Sequence, residues 1–332
     1  MNILLSEAPG GPEELRLRDR PEPVPKPGEV RVAVRRVGIN FPDTLIIKDL
    51  YQFKPERPFA PGAEFAGVVD MVGEGVTGLR PGDRVMALPM WGALAEKVCI
   101  AADRCHPIPD DVDFAEAAAL QMTYGTSLYA LEERAGLKPG ETVLVLGAAG
   151  GVGLAAVELA KVLGARVVAA ASSQEKVDMA LSHGADLGLV YESGPLDRDA
   201  QKAFTSRIRD VVGPDGADII VDTIGGDYTE AALRSIGWGG RFLVVGFPAG
   251  IARIPANLPL LKSCDIRGIF WGAAIERNPE ANRRAMSKLL RLCSERQIRP
   301  RIHANYTLAE GGRAIEALSG RGVMGKVLVA LE

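Results

Sequence analysis

The stretch Val143-Leu144-Val145-Leu146-Gly147-Ala148-Ala149-Gly150-Gly151-Val152-Gly153 constrains this 332-residue chain more than any other. An all-apolar run breaks into glycines, then resumes with apolar residues at 152, 155, 156, 159, 160 and 163. The run reads as a parallel strand buried on both faces, and the spacing after it as a helix packed along one side. Glycines between the two let the chain turn sharply and bring bare backbone N–H groups close to a pyrophosphate. The helix N-terminus adds partial positive charge at the same place. Ala155, Ala156 and Ala160 are small enough for the helix to lie close on the sheet. The spacing Gly147-x-x-Gly150-x-x-Gly153 is one residue longer than the common G-x-G-x-x-G, a variant of that dinucleotide fingerprint. Gly147, Gly150, Gly151, Val152 and Gly153 are therefore the expected cradle.

A second strand follows at 166–171. A site selective for NADH places Asp or Glu near the end of this strand, to accept hydrogen bonds from the ribose 2′-hydroxyl. Here Ala171, Ser172 and Ser173 stand there, with Lys176 one turn on. Small hydroxyls and a cation suit a phosphate ester, so the expected cofactor is NADPH. Serines at this place also cap helices, and that role is compatible with phosphate binding.

Strand and helix patterns alternate from 142 to 245, with continuous apolar strands, which argues a doubly wound parallel sheet. Residues before about 115 differ. Short alternating segments such as 29–34 and 65–72, punctuated by Pro-Gly pairs, predict a mostly β domain. Beyond 262 come a strand at 266–270, a long helix at 281–296 and a final strand at 326–331. The expected division is therefore 1–117 with 263–332 as the β-rich domain, and 118–262 as the Rossmann domain. A hydrophobic content of 47% and a charged content of 24% are those of an ordinary globular protein. The net charge of -3 gives no electrostatic case for nucleic acid or anionic membrane as partner. No apolar segment has the length of a membrane span and no signal peptide is recognisable, so the cytoplasm is the expected location. Cys99, Cys105, Cys264 and Cys293 are scattered, as are His106, His183 and His303. Their spacing suggests neither disulfides nor a metal site.

This organisation resembles the medium-chain dehydrogenase/reductase superfamily, and within it the zinc-free quinone oxidoreductase branch to which zeta-crystallin belongs. The residues that carry the likeness are Asn40-Phe41-Pro42-Asp43-Thr44, Tyr51, Pro61-Gly62-Ala63-Glu64-Phe65-Ala66-Gly67, Pro81-Gly82-Asp83-Arg84-Val85, Thr126, the glycine turn, Arg321 and Gly325-Lys326. The resemblance covers essentially the whole chain and implies a GroES-like β-rich catalytic domain beside the Rossmann domain. Where zinc alcohol dehydrogenases carry a Cys and the His of G-H-E, this chain has Asn40 and Ala63. Neither is a plausible zinc ligand, so no metal is expected. Without a Lewis acid, alcohol oxidation gives way to reduction of an acceptor that is already electrophilic.

The resemblance also assigns residues. Asn40 and Asp43 are placed on the substrate side of the nicotinamide, although N-x-x-D by itself reads as a simple turn. Tyr51 matches a pocket tyrosine able to pass a proton, and alone it would read as packing. Thr126 matches a threonine whose hydroxyl faces the cofactor. Lys176, Tyr191 and Arg321 match positions around the adenosine 2′-phosphate. Gly246 and Phe247 follow a strand at the carboxyl end of the sheet, where ligands bind in doubly wound folds. The leading function is NADPH-dependent quinone reduction. Reduction of an activated C=C bond in a 2-alkenal, enone or enoyl-CoA is the first alternative, and a non-catalytic NADPH-binding structural or regulatory protein the second. Whether quinones accept one electron or two stays open. A homodimer is expected, through the strand at 266–270.

Overall fold

The structure, a computed structural model, describes residues 1–320 and 322–331. The chain divides into two compact units, Met1–Met122 with Arg283–Glu332, and Thr123–Asn282.

The first unit opens with strand β1 (Asn2–Leu5) paired antiparallel to β2 (Arg16–Asp19). Strand β3 (Glu29–Ile39) is the hub of the unit. Its inward residues are Val30, Val32 and Val34, then Val37 and Ile39, all within one apolar core. That change from even to odd positions needs one extra residue, and the register with the next strand slips between Val34 and Arg36. A bulge of this kind turns the later residues onto the face that strict alternation would have exposed. Helix α1 (Phe41–Ile46) follows, then β4 (Glu64–Val72), β5 (Arg84–Ala87), β6 (Lys97–Ala101), β7 (Cys105–Pro107) and helix α2 (Phe114–Ala118).

A π-helical turn at Gln121–Gly125 leads out of the first unit at Met122, and helix α3 (Thr126–Leu128) with a second π turn at Tyr129–Ala135 follows in the second. Alternation is then regular: β8 (Thr142–Leu146), α4 (Gly151–Val162), β9 (Arg166–Ala171), α5 (Gln174–Ser182), β10 (Leu187–Val190) and α6 (Arg198–Val212). It continues with β11 (Ala217–Asp222), α7 (Asp227–Leu233), β12 (Ile236–Val244), α8 (Asn257–Lys262), β13 (Asp265–Gly268) and α9 (Trp271–Arg277). The six strands are parallel in the order β10-β9-β8-β11-β12-β13. This is the doubly wound order. The chain reverses direction between β8 and β11, and the crevice at their carboxyl ends is where such sheets take ligands.

The chain then returns through α10 (Pro279–Ser294), β14 (Ile302–Thr307), α11 (Gly311–Ala317) and β15 (Lys326–Ala330). Among the described residues, these close a seven-stranded sheet with the path β14-β15-β3-β4-β5-β7, with β6 also paired to β3. The sequence placed 263–282 with this unit. Instead β13 extends the parallel sheet, with Ile266 in register opposite Phe242 of β12, so the return to the β-rich unit comes about twenty residues later. No helix among the described residues is long and apolar enough to cross a membrane.

Candidate functional site

In the second unit the glycine turn lies at the switch point. Gly147 has φ +72, in the left-handed region that glycine occupies without strain. At Gly153 a Cβ would stand 2.1 Å from the Gly147 carbonyl oxygen, so a bare residue lets α4 close on the turn. Gly150 differs: its φ is -73 and the nearest atom to an added Cβ is 3.5 Å away. Neither strain nor crowding asks for glycine there, and the open side is available to a ligand. Gly150 is the N-cap of α4 and supplies no capping side chain, which leaves the first amides of the helix, from Gly151 and Val152 onward, to an anion. Ser127 Oγ donates to the Val152 carbonyl at 2.9 Å and ties α3 to this first turn. Thr126, which the resemblance assigns to the cofactor, is half-buried beside Ser127 at the start of α3.

At the end of β9 the chosen residues meet. Ser173 is the N-cap of α5, its Oγ accepting from Lys176 N at 3.4 Å. Lys176 Nζ in turn donates to Ser172 Oγ at 3.1 Å. Capping and a hydroxyl–ammonium pair thus coexist, and Glu175 is exposed. The Tyr191 ring is buried against Phe204 and Tyr228, with centroids 5.7 and 5.1 Å away. Arg321 lies outside the described residues. Gly246 and Phe247 follow β12 at the carboxyl end of the sheet; Gly246 N donates to Asp222 O at 3.3 Å, and Phe247 is 51% exposed.

In the first unit Asn40 and Asp43 are brought together, but as part of the framework. Asp43 is buried, with Oδ2 accepting from Asn40 N at 2.8 Å and Oδ1 from Gly62 N at 3.0 Å. Burial pushes its carboxyl up to about 6, against the pull of those two donors. The Asn40 amide donates to Glu64 Oε1 at 2.9 Å and to the Gly38 carbonyl at 3.1 Å. Lys326 Nζ donates to both Asn40 Oδ1 and Glu64 Oε1. Glu64 Oε2 accepts from Met122 N at 2.8 Å. The side chains of Asn40 and Asp43, which the resemblance assigned to the substrate side, have their polar atoms engaged within the first unit. Their polar atoms bind α1, β4, β15 and the start of the π turn to one another, because a buried amide or carboxylate is costly unless its hydrogen bonds are filled. Lys326 and Glu64 complete this network, and the sequence alone assigns neither of them a role. Tyr51 is half-buried with its ring 5.8 Å from that of Phe53. Burial, and then the Asp43 charge, raise its phenol above the ordinary value, so it stays protonated at neutral pH. Among the described residues, no group of three or more His, Cys, Asp or Glu is arranged to hold a metal ion.

Fold and turn together define a dinucleotide-binding protein of two units. The family model "Zinc-binding dehydrogenase" matches residues 151–291, and "Alcohol dehydrogenase GroES-like domain" matches residues 26–110. Quinone oxidoreductase-like protein 2 of Bos taurus is 41% identical over 314 residues, covering 94% of this chain and 87% of that protein. The quinone oxidoreductase of Sus scrofa is 31% identical, covering 97% and 95%. The crystal structure of Escherichia coli quinone oxidoreductase complexed with NADPH superposes with a TM-score of 0.89 at 28% identity, over 100% of both chains. This chain belongs to the medium-chain dehydrogenase/reductase family, in its quinone oxidoreductase branch.

Proposed function

We propose that this protein is an NADPH-dependent reductase whose acceptors are quinones. The observation that carries the cofactor half of this reading is the pairing of Lys176 Nζ with Ser172 Oγ at the end of β9, where an NADH site would hold a carboxylate. The likeness to a quinone oxidoreductase crystallised with NADPH supports it. The residues fit a dinucleotide: an uncapped helix start faces the switch point, and Gly150 leaves it open to an approaching anion. Bound NADPH supplies a hydride to an electron-poor carbon. Gly151 and Val152 hold the pyrophosphate by their amides, while Ser172 and Lys176 hold the 2′-phosphate through charge-assisted hydrogen bonds. Tyr51, a phenol protonated at neutral pH, offers its hydroxyl to a carbonyl oxygen of the acceptor. The reading includes a homodimer joined along the outer edge of β13.

The test measures NADPH and NADH oxidation with matched quinones, 2-alkenals and enoyl-CoA esters, for the natural protein and for Lys176→Ala. Quinones should give the highest kcat/KM with NADPH. Lys176→Ala should weaken NADPH roughly 10- to 150-fold, the value of one charge-assisted bond, and leave NADH almost unchanged. Equal losses with both cofactors would reject the 2′-phosphate assignment. Faster turnover of alkenals or enoyl-CoA would transfer the enzyme to C=C reduction, and binding without turnover on any acceptor would reject catalysis.

A further inference from the structure

The carboxyl ends of β8, β11 and β12 meet at the switch point, and two residues with no part in the reading above join their loops. Asp222, the last residue of β11, is 1% exposed. Its Oδ1 accepts from Ile224 N and Gly225 N, both at 2.9 Å, and its Oδ2 from Thr229 Oγ1 of α7 at 2.6 Å. Its main-chain oxygen accepts from Val245 N at 3.0 Å and Gly246 N at 3.3 Å, both following β12. One residue thus fixes the loop after β11 by its side chain and the loop after β12 by its backbone. Two further bonds complete the second join, Ala249 N to Ile224 O at 2.9 Å and Gly226 N to Gly250 O at 2.7 Å.

Thr223 makes the third join. Its Oγ1 donates to the carbonyl of Leu146, the last residue of β8, at 2.7 Å. The same oxygen lies 2.4 Å from where a Cβ on Gly147 would stand, so it rests directly against the glycine turn. Asp222 orders the segment that carries Thr223, and Thr223 meets the turn that receives the pyrophosphate. Their place in the sheet says which half of a dinucleotide they serve. A doubly wound sheet takes one mononucleotide over each half. The end of β9, with Ser172 and Lys176, is the adenosine side, so the loops of β11 and β12 belong to the nicotinamide side.

We infer that Thr223, held in place by Asp222, is a positioning residue for the nicotinamide half of the dinucleotide, acting by locking the loop after β11 to the glycine turn. This rests on the NADPH reading, and the experiment separates the two. NADPH and adenosine 2′,5′-bisphosphate, which is the adenosine half alone, are titrated by equilibrium methods against the natural protein, Thr223→Val and Thr223→Ser. Valine keeps the branched shape and removes the hydroxyl, whereas serine keeps the hydroxyl. Thr223→Val is expected to weaken NADPH about 2- to 12-fold, the range for one lost hydrogen bond, and to leave adenosine 2′,5′-bisphosphate unchanged. Thr223→Ser is expected to bind NADPH as the natural protein does. Unchanged NADPH affinity in Thr223→Val overturns the inference. So does equal weakening of both ligands, which is also what loss of the fold would produce. If the natural protein binds neither ligand, the NADPH reading itself fails, and the inference with it.

Discussion

Asp43 has both carboxyl oxygens occupied by backbone N–H donors, yet burial outweighs those donors and carries its pKa from 3.8 to about 6. The folded state therefore binds this proton more tightly than the unfolded chain does. Its contribution to stability is fully present below pH 3.8 and is lost as pH rises through about 6. Asp43→Asn removes the titration. The unfolding free energy of the natural protein minus that of the variant is expected to fall by about 2–3 kcal/mol between pH 4 and pH 7. Urea denaturation at several pH values measures it, and a flat difference would mean a carboxyl ionised throughout. The Asn40/Asp43 turn is legible because its partners are three residues apart. Lys326 and Glu64 are legible only as fragments of two separate motifs. Their union with Asn40 joins positions 262 and 286 residues distant, and no local pattern announces it.

Elements buried on both faces are the ones the sequence defines best. The apolar runs at 142–146, 166–171 and 217–222, each short and set between turn residues, form strands of the parallel sheet. In β3 the pattern reveals only 29–34, because Arg35 and Arg36 interrupt the alternation where the bulge lies. Residues 124–131 read as a helix from their apolar spacing and are wound largely as π turns, for which that spacing gives no separate signal. Within the glycine turn the structure separates what the fold requires from what a ligand requires. Gly153→Ala drives a Cβ against the Gly147 carbonyl, a backbone atom that no rotamer change can move. It is expected to cost about 1–3 kcal/mol in stability and to weaken NADPH as well. Gly150→Ala, with ordinary φ and free space, is expected to melt like the natural protein while binding NADPH more weakly. Thermal melts beside NADPH titrations check both. Unaltered NADPH binding by Gly150→Ala would show that the phosphate does not approach there.

At the scale of the molecule, a central parallel-sheet unit inserted into a β-rich one is legible from the change of texture along the chain. The point of return is not, because β13 is a short strand whose sheet is decided only by pairing with β12. That same pairing leaves the other side of β13 at the edge of the sheet. Ile266 on β13 is 38% exposed, and Trp238, Leu260, Leu261 and Phe270, from neighbouring segments of the same unit, are between 49% and 78% exposed. An open edge flanked by apolar side chains invites a second strand, and a two-fold axis satisfies both copies with one self-complementary contact. Sedimentation of the natural protein is expected to give a dimer. Ile266→Lys places a charge on that edge and is expected to shift the equilibrium toward monomer, with little change in NADPH affinity because the glycine turn lies on β8, three strands inward. A natural protein that sediments as a monomer would refute the pairing. A dimer untouched by Ile266→Lys would move it to another face.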